Sequence, residues 1–146
     1  MAMSDVVRIS KIIDAPLGFV YDWCTDYRED DYRITRSKSR RSFLERTRRR
    51  VIYITREKGK PMGSASIVTL HPSDAWHVNS ISDDRDIVGD YRLRKLAGKR
   101  TRLDIVFKVK RKSAKAPSKS EFLKHLKEIW GKYVARLEND YRTHRE

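Results

Sequence analysis

The chain has 146 residues, of which 38% are hydrophobic and 37% charged, and its 34 Lys and Arg against 20 Asp and Glu give a formal net charge of +14. That length suits one domain, residues 1–146, with a core that needs no metal or disulfide staples. No apolar run reaches the roughly 18 residues of a membrane-spanning helix, and the opening MAMSDVVRIS lacks the apolar stretch of a signal peptide.

The lone Cys24 excludes an internal disulfide framework and a cysteine-based metal cluster, so a reducing, cytoplasmic setting is expected. A charge load this high is shared with disordered chains, but an aromatic content of 10% argues for a packed core.

In chain order, Asp5 to Ile13 (DVVRISKII) is rich in β-branched residues and partly alternates, which predicts a strand. Asp14-Ala15-Pro16 is a helix-start signal, and Leu17, Val20, Tyr21 and Cys24 follow on one helical face. Asp26 to Arg33 is polar and reads as a second short helical piece or a loop.

From Ser37 to Lys112 the period changes to two. Turn signals at Lys58-Gly59-Lys60-Pro61, His71-Pro72-Ser73-Asp74, Ser82-Asp83-Asp84-Arg85 and Ala97-Gly98-Lys99, with a further break near Thr47, divide it into six strands of an antiparallel meander. Ser118 and Glu121 have capping-box spacing just after Pro117. Beyond them Phe122, Leu123, Leu126, Ile129, Trp130, Tyr133, Val134, Leu137 and Tyr141 form a wide apolar helix face, opposite Lys124, Lys127, Lys132, Arg136 and Glu138. So one-sided a helix needs a large apolar surface to lie on, and the meander supplies it.

Turn lengths set the register. A two-residue turn at Asp83-Asp84 places Trp76 opposite Tyr91, His77 opposite Asp90 and Val78 opposite Gly89. A three-residue loop at Ala97-Gly98-Lys99 places Tyr91 opposite Ile105, Arg92 opposite Asp104 and Leu93 opposite Leu103. One face then carries Trp76, Val78, Ile87, Tyr91, Leu93, Leu103, Ile105, Phe107 and Val109, and the other His77, Asp90, Arg92, Arg102, Asp104, Lys108 and Lys110. A slip by one residue would mix the two sets.

In this register His77 and Asp90 form a solvent-side pair rather than an oriented general base. Asp26, Glu29, Asp30 and Asp31 lack the glycine and terminal glutamate of a calcium loop; helix-start capping and pairing with Arg28 and Arg33 is the expected role. No nucleophile elbow, zinc-protease, phosphate-loop or paired-cysteine motif occurs, so no catalytic residue, metal site or cofactor is assigned.

The order of strand, short helical pair, six-strand meander and long helix resembles the START / polyketide-cyclase / major birch pollen allergen superfamily. IDAPLGFVYDWCTDY is similar to its opening signature and GDYRLRKLAGKRTRLDIVF to its last hairpin. The resemblance implies an α+β helix-grip fold: a seven-stranded curved antiparallel sheet wrapped around a long C-terminal helix, with two short helices after the first strand. It also implies a cavity between sheet and helix, in a superfamily that holds lipid carriers, hormone binders, cyclases, hydroxylase domains and chaperone co-regulators. Fold does not fix activity.

The expected function is binding of a small hydrophobic or lipid-like ligand in that cavity, with Tyr53, Trp76, Tyr91, Phe107, Trp130 and Tyr133 as the expected ligand-binding residues, because Tyr and Trp bring a polar tip to an apolar wall. A cyclase- or dehydratase-type enzyme is the alternative and predicts an ionisable residue on the inner face. A basic adaptor for a polyanion or protein is the third reading. The basic stretches Arg33 to Arg50 and Lys108 to Lys119 are expected as solvated surface able to attract a phosphate-bearing lipid, a peripheral anionic membrane or nucleic acid. Nucleic acid ranks below a small molecule as partner, since no exposed aromatic set for base stacking is evident.

Overall fold

Alternation with a period of two draws the middle of the chain into strands, and each polar break returns it antiparallel. A computed structural model describes residues 4–57 and 63–144. Its elements are β1 (Ser4–Ile13), α1 (Leu17–Thr25), α2 (Tyr32–Thr35), β2 (Ser39–Arg46), β3 (Arg50–Glu57), β4 (Ser64–His71), β5 (Ala75–Ser82), β6 (Arg85–Leu96), β7 (Arg100–Arg111) and α3 (Lys119–His144). The strands form one seven-stranded antiparallel sheet in the order β1-β7-β6-β5-β4-β3-β2. The turn assigned to Lys58–Pro61 lies outside the described residues.

The register is the one the turns dictate: Trp76 faces Tyr91, His77 faces Asp90, Val78 faces Gly89 and Leu93 faces Leu103. The β6–β7 loop needs left-handed backbone, with Gly98 at φ 74° and Lys99 at φ 57°. One face is buried through Trp76, Tyr91, Leu103, Ile105 and Phe107, while Asp90, Arg92, Lys108 and Lys110 on the other are exposed. Leu44 is the extra residue of a bulge between Phe43 and Glu45, and it projects outward at 66% exposure.

Two helix-start expectations resolve differently. The capping box before α3 forms: the Glu121 N–H donates to Ser118 Oγ and the Ser118 N–H to Glu121 Oε1, both at 3.3 Å. At α1 the N-cap is Pro16 and no side chain caps it, so Asp14 does not act as a cap. Its backbone N–H donates instead to Glu138 Oε2 of α3 at 2.8 Å, an exposed bond that ties the β1–α1 corner to the helix.

Long-range bonds fix the helix over the sheet. Trp23 Nε1 donates to Asp140 Oδ2 at 2.9 Å, joining α1 to α3. The buried Thr101 hydroxyl donates to the Ala15 carbonyl at 2.8 Å, joining β7 to the β1–α1 corner. Phe122, Leu126, Trp130 and Leu137 of α3 are buried in the core, each contributing about 1.5–3 kcal/mol by leaving water. The α3 main chain runs close to β1, α1 and α2, and under it the curved sheet leaves room. Among the described residues, no helix is long and apolar enough to cross a membrane.

Candidate functional site

The space between sheet and α3 is a chamber of about 280 Å³. Its sheet side is built by inward positions of β3, β5, β6 and β7, among them Tyr53, Val78, Tyr91 and Phe107; α3 supplies Phe122, Leu126, Trp130 and Tyr133, and α1 supplies Trp23 and Cys24. The rings lock one another in edge and tilted contacts: Tyr91 to Phe107 at 5.7 Å, Tyr91 to Trp130 at 5.9 Å and Trp130 to Tyr133 at 5.2 Å between centroids. Gly89 makes this floor possible, since a Cβ there would stand 2.9 Å from Phe107 Cε1 and 3.0 Å from Tyr91 Cε2.

The chamber continues into a polar vestibule of about 340 Å³ that Arg28, Glu128 and Lys132 help to line. Asp31, Arg41, Tyr53, His125, Ile129 and Tyr133 line both spaces and mark the border between them. Arg41 is central to it. It pairs with Thr55 across β2–β3, two residues from the Phe43–Tyr53 pair, so its side chain turns inward with theirs. The guanidinium Nη1 donates to the Asp31 carboxylate and to the Arg28 carbonyl, the latter at 3.2 Å. The guanidinium carbon lies 5.1 Å from the Tyr27 ring centroid and 5.0 Å from that of Tyr53, a cation held between two π faces.

Burial works against the Arg41 charge, but Tyr53, Asp31 and Tyr133 together outweigh it, and the guanidinium stays charged. Burial also drives the phenols of Tyr27, Tyr91 and Tyr133 upward, against the pull of Arg41, so all three remain protonated donors. Among the described residues none hydrogen-bonds the Tyr91 hydroxyl, which leaves that donor to the chamber. Burial likewise raises the Cys24 thiol, keeping it uncharged. Among the described residues no group of three or more His, Cys, Asp or Glu side chains is arranged to hold a metal ion.

No protein-family model matches the sequence, and no curated protein matches it. Solved structures do match in shape. The ZhuI aromatase/cyclase from a Streptomyces species superposes with a TM-score of 0.75 at 13% identity, over 94% of this chain and 96% of that one. Ara h 8.0201 superposes with a TM-score of 0.70 at 9% identity, over 97% of this chain and 100% of that one. A START superfamily protein from Mycobacterium smegmatis gives a TM-score of 0.69 at 12% identity, over 92% and 97%. The chain has the helix-grip fold. Identities this low establish the architecture and leave the chemistry to the residues.

In this helix-grip chain, Tyr53, Tyr91, Phe107, Trp130 and Tyr133 of the sequence-assigned residues converge on the chamber. Trp76 does not reach it. It is 2% exposed and lies flat against Tyr91, supporting the wall from behind.

Sequence reasoning missed Arg41, Asp31 and His125. In the sequence Arg41 belongs to a basic stretch expected as solvated surface, and Asp31 to an acidic group expected to pair with Arg28 and Arg33. The structure pairs Asp30 with Arg28 at 3.2 Å and turns Asp31 to Arg41. The signal for Arg41 was its two-residue spacing from Phe43, across from Tyr53, but the β2–β3 turn was too weakly marked to fix that register. His77 and Asp90, 2.6 Å apart, stand on the outer face away from the chamber.

Proposed function

We propose that the protein, as one START-like domain over residues 1–146, binds a small, mainly apolar, ring-bearing molecule between the sheet and α3. The chamber itself carries this reading: about 280 Å³ lined by Trp23, Tyr53, Tyr91, Phe107, Phe122 and Trp130. Ligand pockets commonly run from about 300 to 1,000 Å³, so a compact molecule suits this one better than a long acyl chain. Affinity comes from apolar area removed from water, about 25 cal/mol per Å² before the costs of association. Tyr53, Tyr91, Phe107, Trp130 and Tyr133 form the contact surface, and Trp76 keeps Tyr91 in place.

The test is calorimetric titration with 2-naphthamide, a neutral two-ring probe, alongside mass spectrometry of an organic extract of the purified protein. Binding to the unmodified chain, weakened at least tenfold by Ile87→Trp with the thermal transition retained, supports the reading. Ile87 lines the chamber and is only half-buried, so a larger ring there fills space without new burial. A folded protein that carries no apolar species and binds no two-ring probe refutes it.

A second reading is an enzyme acting on such a molecule. It rests on the convergence of Asp31, Arg41, His125 and Tyr91 at the chamber and on likeness in fold to an aromatase/cyclase. In that role Tyr91, its phenol held protonated by burial, donates a hydrogen bond and does not exchange a proton. Loss of turnover in Tyr91→Phe with binding retained is the observation that would establish it.

A further inference from the structure

Three features of the chamber border concern charge. The lining carries two guanidiniums, Arg41 and Arg85, against one carboxylate, Asp31. An apolar space with a cationic excess favours an anionic guest over an uncharged one, because a charge removed from water needs a partner. The two cations also differ in setting. Arg85 lies with its guanidinium carbon 5.5 Å from the Phe122 ring centroid and lines the chamber but not the vestibule. Arg41 has a side chain only 20% exposed and stands where chamber and vestibule meet.

The bonds of Arg41 to Asp31 and to the Arg28 carbonyl both leave from Nη1. The Tyr133 hydroxyl also accepts from the guanidinium, which leaves the remaining N–H groups to the chamber border. A guanidinium presents five N–H groups in a planar fork, and a planar carboxylate is its best complement. Asp31, Tyr133 and the Tyr27 and Tyr53 rings hold the group in place and still leave part of its five-donor fork for a guest. Tyr133, another border residue, accepts from Arg41 through its phenol oxygen and keeps its own O–H as a donor on the α3 side.

Resting on the chamber as the binding site, we infer that its ligand is an aromatic carboxylate whose acid group docks on the remaining donors of Arg41 while its rings fill the chamber. Asp31 is a positioning residue in this arrangement. It aims the guanidinium and, as a like charge, lowers the affinity that Arg41 could otherwise offer. A carboxylate bound there meets Arg41 in an environment screened from bulk water, where a charge-assisted pair is stronger than at the surface.

The experiment compares 2-naphthoate with 2-naphthamide, probes of one shape that differ in charge, by calorimetry at pH 7 on the full chain. The expected result is naphthoate binding at least tenfold tighter than the amide. Arg41→Met brings that ratio close to one, and Asp31→Asn raises it. Because Arg41→Met strands the Asp31 carboxylate and could impair folding, Asp31→Asn provides an independent reading on a variant that keeps the cation.

Equal affinity for the two probes in the unmodified protein overturns the inference and leaves the chamber as a site for neutral guests. A ratio abolished by Arg85→Met and untouched by Arg41→Met overturns the assignment to Arg41. Absence of binding by either probe to the folded protein overturns this inference together with the chamber reading beneath it.

Discussion

Tyr91 lies flat on Trp76, with ring centroids 4.8 Å apart and planes 12° apart. The two residues are direct cross-strand partners on β5 and β6, so the stack follows from the pairing. Tyr21 meets the Trp76 ring edge-on at 5.9 Å, and the indole is closed off from both solvent and chamber.

Trp76→Ala removes the support under Tyr91 and leaves a void. The expected loss is about 3–5 kcal/mol of unfolding free energy, measured by denaturant titration. The indole Nε1 has no hydrogen-bond partner among the described residues, so Trp76→Phe forfeits packing only and costs less. Equal losses for the two variants would show that packing volume is not what the indole supplies.

Gly89 and Gly131 make a matched pair of opposite sign. A methyl at Gly89 meets the Phe107 and Tyr91 rings at 2.9 and 3.0 Å, whereas one at Gly131 on α3 meets nothing within 4 Å. Gly89→Ala is expected to lower stability by about 1–3 kcal/mol through overpacking and to weaken probe binding as the rings shift into the chamber. Gly131→Ala is expected to raise stability by about 1 kcal/mol through helix propensity alone. Thermal melts of the two variants read both signs, and a stabilised Gly89→Ala would contradict the packing described for the chamber floor.

The capping box sets a pH dependence. Hydrogen bonding from Ser118, hydroxyl first and then backbone N–H, holds the Glu121 carboxyl below its ordinary value of 4.5. A carboxyl with a lower value folded than unfolded adds stability above the unfolded value and loses it as pH falls below. The helix start is thus fully capped near neutrality and weakens below about pH 4.5. Ser118→Ala costs about 1 kcal/mol at pH 7, and the gap between variant and parent narrows in acid. Circular dichroism melts at pH 7 and pH 3 check this, and a gap that widens in acid would reverse the sign argued here.

Cys24 lines the chamber, and burial keeps its thiol protonated. The thiolate is the reactive form, so alkylation by iodoacetamide at pH 8 is expected to be slow in the folded protein and fast in denaturant. Bound 2-naphthoate slows it further by occupying the adjoining space. Folded-state labelling as fast as that of the denatured chain would place the thiol in water.

Much of this architecture was written locally. Two-residue alternation and short turns between β5, β6 and β7 specify which residues face each other, because a slip by one would expose Tyr91, Leu93 and Ile105 and bury Arg92 and Asp104. The spacing of Ser118 and Glu121 marks the start of α3 for the same reason: donor and acceptor lie within one turn. Tyr53, Tyr91, Phe107, Trp130 and Tyr133 line one space, since inward aromatics on strands and helix share one interior.

What the linear pattern left open depends on contacts between distant segments. Alternation puts Trp76 and Tyr91 on one face but does not say which stands in front; the α1 residue Tyr21, packed against Trp76, does. Composition makes Arg41 one basic residue in a run of many, and only the fold of the segment before β2 brings Asp31 and Tyr27 around it. Asp14 meets Glu138 across 124 positions of chain. Periodicity reports which side of an element faces inward, whereas the curvature of the sheet and the seating of α3 decide what meets there and how much space remains between them.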